Sequence, residues 1–395
     1  MREKLQLKQE EQLILLSADI NPDKSILNRI DEIIPTIIDW DYFTKLAINS
    51  AAAPLIVDKI SRLRNAGLFP ETIKCKLKQA SLKTLGRNML LIEHFRQVIR
   101  AFNEAQIPVI ALKGSMLSEW LYGNINLRQF SDIDLLVPEK NGPLALVILE
   151  RMGYSASKWK MSDFISEHTK IVHYTPMIRN GVCIEIHIRL HYISEAYQVD
   201  LNAIWQRAVP LQLHGVPVLG LCPEDLLMHL CIHLDKHVHS GQFQFTCLYD
   251  IVNMLNHKGD VLNWTFFEQL CLQANAVSVT YKYLLLAQKY MNGQLPISVS
   301  EKYSHTFEPK VEQIFLAVLR GNSIQNYASS VYRNVSGLDS FSNRIHYLFD
   351  LFFPKWDFMK KRYRLKRKRQ LWTYYPYRHL MAFMHIWLNI KKAFY

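Results

Sequence analysis

Residues 128–138, with the sequence RQFSDIDLLVP, place two carboxylates in what is otherwise the pattern of a buried β-strand. Residues 133–137 are apolar apart from Asp134, and Pro138 ends the run. Residues two apart in a strand point to the same face, so we expect Asp132 and Asp134 to lie side by side. Two buried carboxylates repel each other and lose hydration, which a basic partner or a divalent cation such as Mg²⁺ must offset. The segment therefore predicts either a structural ion pair or a metal site.

A second strand is predicted at residues 182–190, VCIEIHIRL, where apolar and polar residues alternate. Three isoleucines point to one face, and Glu185, His187 and Arg189 point to the other. If this strand lies beside the first, Glu185 adds a third carboxylate to the pair. We expect His187 and Arg189 to form part of the same active-site wall, because side chains two and four positions along a strand share a face. The alternative is an ordinary sheet surface with satisfied polar groups.

A Gly-Ser pair lies upstream, in the segment ALKGSM, between a strand predicted at 107–114 and a helix predicted at 115–122. Glycine lets the backbone approach a phosphate closely, and a helix N-terminus favours negative charge. Gly114 and Ser115 alone are weak evidence. The order of strand, Gly-Ser turn, helix, D-x-D strand, helix and glutamate-bearing strand is far more specific.

The composition indicates a folded, multidomain protein. The 395 residues are 49% hydrophobic and 21% charged, with only 14 glycines. Six scattered cysteines without a C-x-x-C pair suit reduced thiols, and the charged N-terminus has too short an apolar run for a signal peptide. The most apolar segment, 371–390, contains Pro376 and Arg378, which favours a packed or interfacial helix over a membrane span. We therefore expect a cytoplasmic protein.

The hydrophobic period divides the chain into four regions. We predict an N-terminal helical region at 1–84, a mixed α/β core at 85–215, a helical domain at 216–325, and a basic, aromatic-rich helical region at 326–395. The fold class expected from this order is α+β, with a small mixed β-sheet embedded in predominantly helical regions.

The motif order resembles the nucleotidyltransferase fold of DNA polymerase β and its relatives. More narrowly, the chain resembles the bacterial family described as uncharacterised nucleotidyltransferases, over roughly residues 10–300 and the tail. The segments that carry the resemblance are IIDWDYFTKLA, IPVIALKGSML, LRQFSDIDLLVP, CIEIHIRLH and CPEDLLMHLCIHLDKHV. The resemblance implies that the mixed core is polymerase β-like.

The resemblance also implies a role for each motif. Gly114 and Ser115 would hold the triphosphate of a nucleotide. Asp132 and Asp134 would hold two Mg²⁺ ions, with Mn²⁺ as an alternative, and Glu185 would bind the second ion and help to deprotonate the acceptor hydroxyl.

The chain departs from the wider superfamily at two points. Sixteen residues separate Ser115 from Asp132, which is longer than usual, and Lys113 precedes the glycine where many relatives have an apolar or small residue. We expect Lys113 or Arg128 to bring positive charge to the nucleotide phosphates. For each of them, the alternative is a salt bridge to the D-x-D carboxylates.

The implied activity is that of a nucleotidyltransferase, which moves an NMP from an NTP such as ATP to a hydroxyl group and releases pyrophosphate. The acceptor implied by the resemblance is an unknown small molecule, sugar or peptide. One alternative is a toxin-like transferase that acts on RNA or protein. Another is a non-catalytic nucleotide-binding scaffold, against which the complete Asp132, Asp134 and Glu185 set argues.

Three histidines of the segment DLLMHLCIHLDKHVH, His229, His233 and His237, lie four residues apart on one face of a predicted helix. Leu230 stands where a zinc protease needs glutamate, so that enzyme class is excluded. The row has three interpretations: a packing face, an active-site wall through His229 and His233, or a second metal site.

Much of the net charge of +12 lies in residues 355–369, which hold nine Lys or Arg against one Asp. This segment can be a solvated helix face, a contact for an acidic partner or membrane surface, or a nucleic-acid arm. Nucleic acid is the least favoured partner, because the charge does not extend along the chain.

Overall fold

A computed structural model describes residues 7–157, 172–191, 197–239 and 243–322, together with residues 345, 349, 353, 356, 359, 367–377, 379 and 380. The described residues up to 322 belong to one compact unit, and those from 345 onward belong to a second. Most of the basic segment 355–369 lies outside the described residues. The predicted division into four regions stays a prediction.

Helices dominate the described part of the chain. They are α1 (Gln9–Leu16), α2 (Lys24–Ile33), α3 (Trp40–Asn49), α4 (Ala53–Ile60), α5 (Glu71–Glu104), α6 (Lys113–Trp120), α7 (Gly142–Arg151), α8 (Leu201–Arg207), α9 (Pro223–His239), α10 (Phe245–Lys258), α11 (Trp264–Gln273), α12 (Val277–Met291), α13 (Ile297–Tyr303) and α14 (Pro309–Leu319). The strands are β1 (Ile110–Leu112), β2 (Asp132–Leu136), β3 (Ser155–Ala156), β4 (Met177–Arg179), β5 (Val182–His187), β6 (Val209–Leu213) and β7 (Val216–Gly220).

Within the described residues, the seven strands form one mixed sheet in the order β3-β4-β5-β2-β1-β7-β6. β2 runs parallel to β5, β1 runs parallel to β7, and the other neighbouring pairs are antiparallel. The predicted α+β class, with a mixed sheet among helical regions, is confirmed.

The two central strands are the ones that the sequence pattern predicts. Ile133 and Leu135 of β2, and Ile184 and Ile186 of β5, are buried, as their alternation requires. Helices α5 and α7 pack against β5, and α5 also contacts β2. The core therefore holds these strands firmly, which fixes the positions of the polar residues between the isoleucines and leucines.

The long helix α5 begins at Glu71, directly after Pro70, and so crosses the boundary predicted at residue 84 between the N-terminal helical region and the mixed core. Its buried residues recur at intervals of one to four positions from Ile73 to Phe102, which gives one continuous buried stripe. The stripe is apolar at both ends and polar at Ser81, Thr84 and Asn88. This stripe packs on α3, α4 and the sheet. The helix therefore supports the sheet from one side along much of its length.

The β6–β7 hairpin is absent from the sequence prediction. His214 and Gly215 form its two-residue turn, and both have positive φ, at +49° and +75°. That is the backbone of the turn that joins tightly twisted antiparallel strands. Pro210 and Pro217 mask the strand pattern in the sequence, since proline is normally excluded from a sheet interior.

The second unit is described only in part. Trp356, Leu371, Tyr374 and Tyr375 pack around the buried side chain of Met359. Residues 371–377, 379 and 380 are helical, and the rest of the predicted helix 371–390 lies outside the described residues. Among the described residues, no helix is long and apolar enough to cross a bilayer.

Candidate active site

Asp134 lies at the centre of a charged cluster formed where β1, β2 and β5 run side by side. The parallel register of β2 and β5 pairs Asp134 with Glu185. Nζ of Lys113 lies 3.0 Å from Oδ2 of Asp134, and Nε2 of His187 lies 2.9 Å from Oδ1. The structure thus brings together two of the predicted carboxylates, the predicted lysine and one of the predicted wall residues.

Lys113 reaches Asp134 because of its place at the end of β1. Leu112 lies opposite Asp134 in the antiparallel register, so the next residue projects from the strand end beside it. Lys113 has a φ of +46°, a left-handed conformation that a non-glycine residue adopts rarely and often at functional sites. Burial lowers the pKa of its ammonium, but the charge on Asp134 outweighs this and raises the pKa. The salt bridge predicted for Lys113 is therefore present.

The two aspartates of β2 have opposite electrostatic surroundings. Burial raises the pKa of Asp134, but the charge on Lys113 and the hydrogen bond from His187 hold it well below its usual range. Burial, and then the charge on Asp134, raises the pKa of Asp132 to about 6. Ser131 Oγ donates a hydrogen bond to Asp132 at 3.3 Å. Asp132 is thus a poorly compensated carboxylate at the edge of the cluster.

Gly114 is required by close packing. A Cβ atom at this position would lie 2.7 Å from Cβ of Phe130 and 3.0 Å from Nη1 of Arg128. The next residue, Ser115, is 1% exposed, and its Oγ has no hydrogen-bond partner among the described residues. A buried hydroxyl at the N-terminus of α6 is therefore available to a ligand.

Arg128 is paired with Asp250 of α10 rather than with the D-x-D carboxylates. Its Nε and Nη2 donate to the two oxygens of Asp250 at 2.8 and 2.6 Å, and both side chains are buried. Tyr122 donates a third hydrogen bond to Asp250 at 3.0 Å. The alternative interpretation of Arg128, a salt bridge to the D-x-D pair, is wrong, because the bidentate carboxylate of Asp250 satisfies the buried guanidinium.

His187 contacts both carboxylates of the cluster, since its Nε2 also lies 3.5 Å from Oε2 of Glu185. Burial lowers the pKa of His187, but the hydrogen bond to Asp134 outweighs it and raises the pKa. Burial raises the pKa of Glu185, but the hydrogen bond from His187 outweighs it, so the pKa of Glu185 is lowered. Arg189 lies beyond the end of β5 and pairs with Glu139 at 2.6 Å. The alternation from which we predicted a common face for Glu185, His187 and Arg189 therefore ends at His187.

The histidine row of α9 lies within electrostatic reach of the cluster, with His229 buried and His233 and His237 half-buried. The rings of His229 and His233 are 6.0 Å apart, and Nε2 of His233 lies 3.0 Å from Nε2 of His237. Both ring nitrogens of His229 are buried without a hydrogen-bond partner in the described part of the chain. Burial, and then the charge on Lys113, lowers the pKa of His233 well below its usual range and that of His237 to about 4. The row therefore consists of neutral imidazoles within electrostatic reach of Lys113.

Three ligand atoms of the cluster suit a metal ion. One atom from each of Asp134, Glu185 and His187 lies within 4.8 Å of the others, and in the described residues no further group of three such side chains meets this condition. Asp132 is outside the group. The donor set of two carboxylates and one imidazole fits a divalent cation.

Two contributors were missed or underweighted in the sequence. Asp250 lies 122 residues from Arg128, and no local pattern links them. His173 forms an isolated β-bridge with His187, and their rings are 5.2 Å apart. The HYT segment around His173 offers no strand pattern from which this pairing could be predicted.

Comparison with known proteins gives a family and two distant structures. The family model described as uncharacterised nucleotidyltransferase matches residues 36–292. The chain is similar to the antibiotic-resistance factor ANT(2'')-Ia at 14% identity and a TM-score of 0.35, covering 52% of this chain and 99% of that one. It is also similar to an antigenic nucleotidyltransferase-like protein from Paracoccidioides brasiliensis at 15% identity and a TM-score of 0.30, covering 53% and 94%. No curated protein matches.

Proposed function

The chain belongs to the uncharacterised nucleotidyltransferase family, as its sequence predicted, and we propose that it is a Mg²⁺-dependent enzyme that transfers an NMP from an NTP to an acceptor hydroxyl. The bacterial origin stays a prediction. The acceptor we propose is a small molecule, a sugar or a peptide. A cytoplasmic location is also proposed, because the six scattered cysteines of the sequence form no C-x-x-C pair.

The observation that carries this proposal is the placement of Asp134 beside Glu185 on adjacent parallel strands. A buried carboxylate and a half-buried one in register are costly unless cations share them. Lys113 and His187 already contact Asp134, which indicates a site built to hold positive charge. Ser115, with its buried and unpartnered Oγ, belongs to the helix that follows Lys113 directly.

We propose a role for each predicted residue. Asp132, Asp134 and Glu185 would hold the divalent ions, which neutralise phosphate charge and the acceptor oxygen when bound. Gly114 and Ser115 would contact the triphosphate, with the Ser115 hydroxyl as donor. Lys113 would add charge to the phosphates. His229 and His233 would form a wall of neutral imidazoles.

The proposed transfer balances without a further reactant. The acceptor oxygen forms a bond to the α-phosphorus, and the bond from that phosphorus to the bridging oxygen breaks. The electron pair of that bond leaves with pyrophosphate. The acceptor proton passes to Glu185 and then to water.

Arg128 is also a proposed nucleotide contact, but its buried pairing with Asp250 favours an indirect role. A Cβ atom added to Gly114 would lie 3.0 Å from Nη1 of Arg128, so the guanidinium lies beside the proposed phosphate-binding turn and would support it. Arg189, paired with Glu139, is the least supported member of the proposed wall.

A thermal-shift panel of the four NTPs, each with and without Mg²⁺, tests the proposal. A ligand at 100 times its Kd stabilises the folded state by roughly 2.7 kcal/mol. We expect one NTP to raise Tm only with Mg²⁺, and Asp134→Asn to abolish the rise. Glu139→Gln, which removes a surface carboxylate, is the matched control and should retain it.

Pyrophosphate release with candidate acceptors then separates an enzyme from a scaffold. If no NTP shifts Tm in the folded wild type, with either Mg²⁺ or Mn²⁺, the proposed function is wrong. If an NTP binds but no acceptor releases pyrophosphate, the non-catalytic nucleotide-binding alternative gains support.

A further inference from the structure

His187 lies where a metal ligand would lie, between two carboxylates. Its Nε2 is 2.9 Å from Oδ1 of Asp134 and 3.5 Å from Oε2 of Glu185. Ligand bonds of about 2.0–2.2 Å place neighbouring ligand atoms about 3.0 Å apart at right angles and about 3.4 Å apart at tetrahedral angles. The two observed separations match these edges, and one ligand atom from each of the three side chains lies within 4.8 Å of the others, so small side-chain shifts bring all three to one cation.

The surroundings leave Oδ1 of Asp134, Oε2 of Glu185 and Nε2 of His187 available to a common partner. The other oxygen of Asp134, Oδ2, is already paired with Lys113 at 3.0 Å. His187 is 7% exposed, and its second nitrogen, Nδ1, has no hydrogen-bond partner among the described residues. The polar contacts of the ring within the described structure are therefore concentrated on Nε2, which faces the carboxylates.

We infer that His187 is a direct nitrogen ligand of the divalent ion shared by Asp134 and Glu185, and that this site binds a transition metal such as Mn²⁺ more tightly than the Mg²⁺ of the proposed function. The inference rests on the proposed function for the presence of a metal site and adds the ligand and the preference. Mg²⁺ binds oxygen ligands and keeps several waters, whereas imidazole suits transition metals. Carboxylates suit both Mg²⁺ and Mn²⁺, so the imidazole of His187 is the ligand that shifts the preference towards Mn²⁺.

Pulsed electron paramagnetic resonance on Mn²⁺ tests the ligand directly. The probe is Mn²⁺ alone, added at less than one equivalent to the full-length, metal-free protein. We expect a nitrogen-14 coupling from a directly bound imidazole in the wild type. The coupling should disappear in His187→Gln, with Mn²⁺ affinity at least about tenfold weaker.

His173→Gln is the matched control, because the His173 ring lies 5.2 Å from the His187 ring and its Nδ1 bonds to the Tyr174 carbonyl. It should keep the coupling. Calorimetric titration of the wild type should show tighter binding of Mn²⁺ than of Mg²⁺.

Each outcome is decisive. Bound Mn²⁺ without a nitrogen coupling, or a coupling that survives in His187→Gln, overturns the inference and leaves the proposed function intact. Equal or tighter binding of Mg²⁺ overturns the metal preference. No binding of either ion to the folded protein overturns the metal-dependent function itself. If His187→Gln does not fold, the wild-type and His173→Gln spectra still decide whether a nitrogen is bound and whether it belongs to His173.

Discussion

Asp132 and Asp134 differ by two positions along β2, and substitutions at these positions should change stability in opposite directions. The folded-state pKa of Asp132 is about 6, against an ordinary value of 3.8. The folded state therefore holds this proton more tightly than the unfolded state, so stability is lost as pH rises from about 4 to about 6. In EDTA at pH 8, Asp132→Asn should stabilise the protein by about 1–3 kcal/mol, a range reduced for residual solvent contact.

Asp134→Asn is the internal comparison for that prediction. In the wild type, the folded-state pKa of Asp134 is lowered, so its charge contributes stability above pH 4, and that contribution disappears only in acid. The substitution should lower Tm at pH 8, because it leaves Lys113 and His187 without their common partner. Urea unfolding of both variants at pH 8 and pH 4 measures the effect. A loss of stability in Asp132→Asn at pH 8 would contradict the prediction.

Lys113 supplies the positive charge at Asp134 in the absence of a metal ion. Lys113→Met should therefore destabilise the protein in EDTA by about 2–4 kcal/mol, because a buried carboxylate loses its partner. Added Mn²⁺ should raise Tm more in this variant than in the wild type, since the cation can replace the lost ammonium. Arg189→Met, which breaks an ion pair with Glu139, is the control and should show no extra rescue. Equal rescue in both variants would show that Lys113 and the cation do not share Asp134.

The turn between β1 and α6 requires a glycine at position 114, because the space for a side chain is already filled. In Gly114→Ala, the new Cβ would meet the Cβ of Phe130, which cannot move without its backbone. We expect a loss of about 1–3 kcal/mol. Gly86→Ala is the matched substitution, because nothing lies within 4 Å of that position in the exposed middle of α5. It should stabilise by about 0.5–1 kcal/mol. Thermal melts of the two variants should shift in opposite directions, and a loss of Tm in both would contradict the packing argument.

Helix α10 supports the same turn through the pair Arg128–Asp250. Asp250→Asn should cost about 3–5 kcal/mol, because it leaves a buried guanidinium uncompensated. The double variant Arg128→Met/Asp250→Leu removes both charges and should recover most of that stability. An NTP should raise Tm less in the double variant than in the wild type, because no guanidinium then lies beside Gly114. Full recovery of nucleotide binding would mean that the pair serves stability alone.

The elements that sequence could predict are those whose signal is local. β5 was predicted because burial on one face enforces alternation, and β2 because an apolar run that ends at Pro138 indicates a buried strand, in which the carboxylates stand out. β6 and β7 were missed because Pro210 and Pro217 obscure the pattern, although the positive-φ turn at Gly215 holds the hairpin. The partner of Arg128 could not be predicted, because a pairing between a loop and a distant helix leaves no local pattern. The site was therefore predictable in its carboxylates and not in its supporting contacts.

At the scale of the whole molecule, positive charge is concentrated away from the proposed site in sequence. The proposed site residues lie between 113 and 233, within the family match at 36–292, whereas residues 355–369 carry nine basic residues. We expect the two regions to act independently: the first binds metal and nucleotide, and the second contacts an acidic surface.

Charge removal in the basic segment tests this separation. Replacing five residues by glutamine lowers the net charge from +12 to +7: Lys360, Lys361, Arg362, Arg364 and Lys366. A basic residue near an anionic membrane contributes about 1 kcal/mol, so binding to phosphatidylserine-containing vesicles should weaken more than about tenfold. Sedimentation with vesicles measures it, and neutral phosphatidylcholine vesicles are the control.

The wild-type affinity for the vesicles should fall steeply with salt, because exposed charges are screened. The nucleotide-dependent rise in Tm should be unchanged, because none of the replaced residues belongs to the Asp134 cluster. Unchanged vesicle binding would assign the segment to a solvated face.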